Sequence, residues 1–76
     1  MQRFDESIVR GLWCEILGVE SLTDDASFLE LGGASIAAEQ LADRISHALG
    51  VDLSGLDILS EPSYATFLER LRMHTD

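Results

Sequence analysis

The sequence predicts an all-α fold, a small four-helix bundle with three main helices, one short third helix and a long first loop. Three observations carry that expectation. Apolar residues recur every three or four positions in three segments, glycines stand where two of those segments should end, and no stretch of useful length alternates apolar and polar residues as a half-buried strand would. With 76 residues, no internal repeat and no low-complexity run, the chain is expected to form one domain over residues 1–76. A domain of this size buries only about 60% of the surface its unfolded chain exposes, so the core is thin and leaves little room for a deep catalytic cleft.

The first helix is expected from about Asp5 to Leu17. Phe4, Ile8, Leu12 and Ile16 fall four apart, and Val9, Trp13 and Leu17 form an adjoining row, giving one broad apolar face. Asp5 suits the N-cap, Phe4 and Val9 flank it at the spacing of a hydrophobic staple, and Gly18 suits a left-handed end. From Val19 to Ala34 no period is sustained, and Leu22, Phe28, Leu29 and Leu31 are the residues able to pin such a loop, with one helical turn near Ser27 to Leu31. A second helix is predicted over Ser35 to Leu49, with Ile36, Ala38, Leu41, Ala42, Ile45, Ala48 and Leu49 as its apolar stripe and Gly50 as its end. Ser54 and Asp57 have capping-box-like spacing before Ile58 and Leu59, which predicts a very short third helix. Pro62 and Ser63 open the last helix, with Tyr64, Phe67, Leu68 and Leu71 facing inward and Arg70, Arg72 and His74 toward its negative end.

Charge narrows the partners. The net charge is −9, lysine is absent, and Glu15, Glu20, Asp24, Asp25, Glu30, Glu39 and Asp43 lie between Arg10 and Arg44 with no basic residue among them. Such a surface repels phosphate backbones, which disfavours nucleic acid and anionic membranes; it suits basic protein surfaces, or serves solubility alone. The single cysteine, Cys14, has no internal partner and no basic neighbour to favour its thiolate, so a structural thiol is expected. With no signal segment or membrane-length apolar run, a cytoplasmic protein is the expectation.

The segment "FLELGGASIAAEQL", Phe28 to Leu41, sets two glycines and a serine before a helix. Ser35 has three readings. As an N-cap it is ordinary, although a capping box would want Glu or Gln at position 38, where Ala38 stands. As a nucleophile elbow, "GASIA" lacks the preceding strand, the sheet and the partner acid and histidine that such a turn requires; His47 and His74 read as surface residues. Neither phosphate-loop pattern is present, an EF-hand register from Asp52 puts Ser63 where a bidentate glutamate belongs, and one cysteine with two distant histidines makes no zinc spacing. The third reading is a covalently attached phosphate group. Free amides and the positive end of a helix dipole favour a phosphodiester at that place, and Gly32 and Gly33 would let a modifying enzyme approach.

"DDASFLELGGASI", followed by "LADRISHALGVDL" and "PSYATFLERL", resembles the peptidyl carrier proteins of nonribosomal peptide synthetases, whose signature runs D-x-F-x-x-L-G-G-x-S-[LI]. The resemblance covers most of the chain in order and spacing. It implies that Ser35 receives 4′-phosphopantetheine from coenzyme A through a phosphopantetheinyl transferase, then holds an aminoacyl or peptidyl group as a thioester. The implied partners are that transferase, an adenylating loading enzyme, and condensing, tailoring or thioesterase enzymes; the carrier catalyses nothing itself and acts as a monomer. Partner contacts are implied around Ala34, Ile36, Leu56 and Leu59, with Leu59 equally suited to the core. The glycine pair departs from fatty-acid-type acyl carriers, which more often show G-x-D-S, yet an acyl carrier of a polyketide or fatty-acid-type pathway stays open as an alternative, as does an unmodified acidic helical adaptor. Ala34 departs from the His or Asp common before the serine, which removes a polar side chain beside the arm.

Overall fold

The computed structural model describes residues 5–75, and these form four helices with no strand among them: α1 (Glu6–Leu17), α2 (Ser35–Leu49), α3 (Gly55–Leu59) and α4 (Tyr64–Thr75). The ends of α1 fall where local chemistry puts them. The Asp5 carboxylate accepts from the Ser7 amide at 3.0 Å and from its hydroxyl at 2.6 Å, and the Gly18 amide closes the helix on the Cys14 carbonyl at 2.8 Å. Phe4, the expected staple partner of Val9, lies outside the described residues. Val9 and Trp13 are buried, but Ile8 is 44% exposed. Ile8 stands about 100° round the helix from Val9, at the edge of the stripe, so the apolar face is narrower than its sequence suggests. Leu12, Ile16 and Leu17 pack half-buried along its border.

The long loop is pinned by three of its four expected anchors. Leu22 and Phe28 enter the core and Leu31 packs against it, whereas Leu29 is exposed and anchors nothing. The expected turn is present: the Leu31 amide donates to the Ser27 carbonyl at 3.0 Å, and the Glu30 amide donates to the Ser27 hydroxyl at 3.3 Å. The loop also caps α4, which no periodicity announces. The Ala26 carbonyl accepts from the Tyr64 amide at 2.7 Å and the Asp24 carbonyl from the Ala65 amide at 2.9 Å, satisfying two of the donors that a helix start leaves unpaired. Ser63 and Thr66 add a reciprocal pair, each side-chain oxygen accepting the other's amide at 3.2 Å. Pro62 therefore precedes the cap and Ser63 forms it, so the helix starts at Tyr64, later than one opening on Pro62 and Ser63.

Trp13 is the centre of the core. Its ring meets Phe28 edge-on with centroids 5.3 Å apart, Tyr64 at 5.1 Å and Phe67 at 5.5 Å. Arrangements of this kind stabilise by about 0.5–1.5 kcal/mol per pair beyond the area they bury. They offset the buried indole N–H, which finds no hydrogen-bond partner among the described residues. From α4, Tyr64, Phe67, Leu68 and Leu71 all face inward as expected; α2 contributes Ala38, Leu41, Ala42 and Ile45. Ile36 and Ala48 do not belong to that stripe, since both are exposed. At 100° per residue Ile36 lies on nearly the opposite side of α2 from the line through Ala38, Leu41, Ala42 and Ile45, and Ala48 lies at its margin.

One polar cluster ties α1, the loop and α4 together. Arg10 donates to the Leu22 carbonyl, pairs with Glu6 at 2.9 Å and Asp24 at 3.4 Å, and sits 4.9 Å from the Tyr64 ring centroid. The Tyr64 hydroxyl in turn donates to the Glu6 carboxylate at 2.6 Å.

Candidate functional site

Ser35 is the first residue of α2 and not its N-cap, so the capping explanation of this serine does not hold. Ala34, extended at φ −120° and ψ 174°, takes that place, and no side chain caps the helix. The first intrahelical bond runs from the Ala38 amide to the Ala34 carbonyl at 2.9 Å, so the amides ahead of it in the first turn have no intrahelical partner. Ala34, Ser35 and Ile36 are all exposed, and the first turn of α2 carries no acidic residue. The hydroxyl thus stands in the positive field of a 15-residue helix whose first turn carries no carboxylate, with Glu39 following one turn on. A phosphodiester fits that setting: its charge meets open amides and the dipole end, and no hydrogen-bonded cap has to be displaced.

The two glycines that precede the serine differ in what they do for the backbone. Gly32 is exposed at φ 93°, a left-handed backbone that turns the chain toward α2. Gly33 is buried. A Cβ there would lie 2.2 Å from Phe28 Cε2 and 2.7 Å from the Phe28 carbonyl oxygen, and its amide donates to that same carbonyl at 2.9 Å. The serine is therefore held two residues beyond a backbone seated on Phe28, which is itself wedged against Trp13. The signal for this was available as the pairing of a phenylalanine with a bare glycine five residues on; read from spacing alone, it was indistinguishable from a flexible turn.

The short helix packs alongside. Gly55 lies so close to α2 that a Cβ on it would be 2.8 Å from the Glu39 carboxyl carbon and 3.0 Å from the Glu39 amide nitrogen, one helical turn beyond Ser35. Ile58 is fully buried, Leu59 packs half-buried on the core and Leu56 is 70% exposed. The expected capping box is present, and the Asp57 carboxylate accepts from the Ser54 amide at 2.9 Å and from its hydroxyl at 3.2 Å. Arg70, expected to complement the α4 dipole, reaches instead to α3, donating to Asp57 at 3.0 Å and Glu61 at 2.9 Å. The His74 side chain lies outside the described residues.

Among the described residues no group of three or more His, Cys, Asp or Glu side chains could hold a metal ion. His47 is exposed and its Nδ1 faces the Asp43 carbonyl at 3.0 Å, and Cys14 is half-buried against the core. A groove between α1 and α4, bordered by Arg10, Ala65, Leu68 and Arg72, contains none of the predicted site residues. No helix among the described residues is long and apolar enough to cross a membrane.

Known proteins resemble this chain over most of its length. The family described as the phosphopantetheine attachment site matches residues 7–71. A dimodular nonribosomal peptide synthase of Bacillus subtilis (strain 168) is 41% identical over 68 residues, which is 90% of this chain and 3% of that protein. The chain thus spans a small fraction of the curated relative it matches. Among solved structures, BlmI, a type-II acyl-carrier-protein from Streptomyces verticillus involved in bleomycin biosynthesis, superposes with a TM-score of 0.80 at 26% identity, covering 90% of this chain and 82% of BlmI. An extended docking-domain complex of the Pax nonribosomal peptide synthetase gives a TM-score of 0.82 at 28% identity, covering 97% of this chain and 71% of the other.

Proposed function

The chain belongs to the phosphopantetheine-attachment family and is a carrier domain of the kind found in nonribosomal peptide synthetases, and on that premise we propose that Ser35 is its attachment residue and that it carries aminoacyl or peptidyl groups. The observation that supports this most directly is the exposed Ser35 hydroxyl at the open, uncapped start of α2, with no acidic residue in that turn. When attached, the 4′-phosphopantetheine group supplies a thiol on a long flexible arm, which holds acyl groups as thioesters. The chain's own contribution is binding and orientation: the α2 amides meet the phosphate, Gly33 on Phe28 fixes the approach to the serine, and Ala34, Ile36, Leu56 and the edge of Leu59 offer a largely apolar rim to partners.

In this reading residues 1–76 act as one non-catalytic domain, monomeric and cytoplasmic. It is a substrate first of a phosphopantetheinyl transferase, then of an adenylating enzyme, and then of condensing, tailoring or thioesterase enzymes. The acidic surface suits basic faces on those partners, because opposite potentials speed encounter. Incubation with coenzyme A and a permissive transferase, followed by intact mass measurement, tests the attachment. The expected result is the gain of one phosphopantetheinyl group, abolished in Ser35→Ala; no gain in the unsubstituted protein overturns the reading. Loading restricted to malonyl-type extender groups would overturn the peptidyl assignment in favour of an acyl carrier.

A further inference from the structure

We infer that Arg70 is a positioning residue: it sets the pose of α3 and, through it, the presentation of Leu56 to the enzyme that modifies Ser35, this last step resting on the attachment reading above. Helix α3 has five residues, far fewer than the roughly 12–15 that an isolated helix needs for marginal stability, so its orientation depends on what holds it from outside. Its inward hold is narrow. Ile58 is fully buried, Gly55 is seated on Glu39 and Leu59 is half-buried at the edge of the core, a strip of contact along one side about which the helix can roll. Rolling would swing Leu56, 70% exposed, toward or away from the start of α2.

Arg70 opposes that roll from α4. One guanidinium nitrogen donates to Asp57 Oδ1 at 3.0 Å inside α3, and the other donates to Glu61 Oε2 at 2.9 Å just beyond its end. The two carboxylates are only 22% and 15% exposed while the Arg70 side chain is 42% exposed, so the fork is held by its two-armed geometry on partly buried carboxylates, with solvent still reaching the guanidinium. Asp57 also binds the Ser54 amide through its other oxygen, so the fork links the cap of α3 to α4. Without the guanidinium, the cation that joins the Asp57 and Glu61 carboxylates to α4 would be gone. A lysine ammonium, a point charge without the fork, cannot reproduce the two-armed geometry.

Arg70→Met and Arg70→Lys, compared with the unsubstituted protein, test this by amide hydrogen exchange on the unmodified chain and by transferase kinetics at saturating coenzyme A. In Arg70→Met the Ser60 and Glu61 amides, which donate to the Leu56 and Ile58 carbonyls, should exchange about threefold to tenfold faster, with the core amides of α1 and α2 unchanged. The KM for the carrier should rise by a similar factor at constant kcat, and Arg70→Lys should fall between. Unchanged exchange at Ser60 and Glu61 overturns the proposal, and so does a uniform increase through α1 and α2, which would make Arg70 an ordinary stability residue. Faster α3 exchange with an unchanged KM overturns the coupling to Ser35. If the unsubstituted protein gains no group at all, it is the attachment reading that fails, while the exchange data still decide whether Arg70 orients α3.

Discussion

Gly33→Ala should be among the most damaging single-methyl additions to this protein. The added Cβ would stand 2.2 Å from Phe28 Cε2, 2.3 Å from Phe28 Cδ2 and 2.7 Å from the Phe28 carbonyl oxygen. Those distances are more than an ångström short of ordinary contact on the ring side, and the ring has nowhere to retreat. Phe28 is 1% exposed and lies edge-on against Trp13, which is itself packed by Tyr64 and Phe67. Either the phenyl leaves its site or the backbone before α2 shifts. Overpacking of a full core costs about 1–3 kcal/mol, and outright loss of a buried phenylalanine's contacts costs about 3–5 kcal/mol. A value near 2–3 kcal/mol is expected for partial displacement. At roughly 4–8 °C per kcal/mol in a domain of this size, the thermal midpoint should fall by about 10–20 °C. Gly32→Ala is the matched control: nothing lies within 4 Å of its Cβ position, so only the strain of φ 93° remains, about 1–2 kcal/mol. Circular dichroism melts of both variants, with the near-ultraviolet signal of Trp13 as a local probe, give the comparison. A Gly33→Ala midpoint equal to or above that of Gly32→Ala would refute the packing argument.

Acid should weaken the α1–α4 junction. The Tyr64 hydroxyl, followed by Arg10, holds the Glu6 carboxyl below its ordinary value of 4.5, while burial first and then Glu6 push the Tyr64 hydroxyl well above the usual phenol range. A lowered carboxyl contributes stability that is complete above about pH 4.5 and is lost as pH falls through the folded value; Glu6→Gln should therefore flatten the acid limb of a midpoint-against-pH curve below that point, and parallel acid limbs would contradict it. Leu56→Ala removes a side chain that is 70% exposed, so its midpoint should stay near that of the unsubstituted protein, within about 0.5 kcal/mol, while aminoacylation of the pantetheinylated protein slows; a large fall in midpoint with normal loading would place Leu56 in the core.

Much of this molecule is legible in its local patterns. Asp5 and Gly18 bracket α1, Gly50 closes α2, and the inward residues of α4 are those its period selects, because caps and amphipathic stripes are decided within a few residues of chain. Ser35 was legible for the same reason: an L-G-G-x-S segment ahead of an apolar-periodic run places a hydroxyl at a helix start, whatever packs behind it. Only the tertiary structure decided the rest. That Ile8 and Leu29 face solvent, that the loop carbonyls of Asp24 and Ala26 cap α4, that Gly33 is bare because Phe28 fills its side, and that Arg70 reaches α3 rather than its own helix end are all contacts between residues distant in sequence or set by how neighbouring elements cover one another. Short-range chemistry writes itself into spacing, whereas the partner of a buried glycine or a long cationic side chain depends on where other segments come to rest, and no local pattern records it.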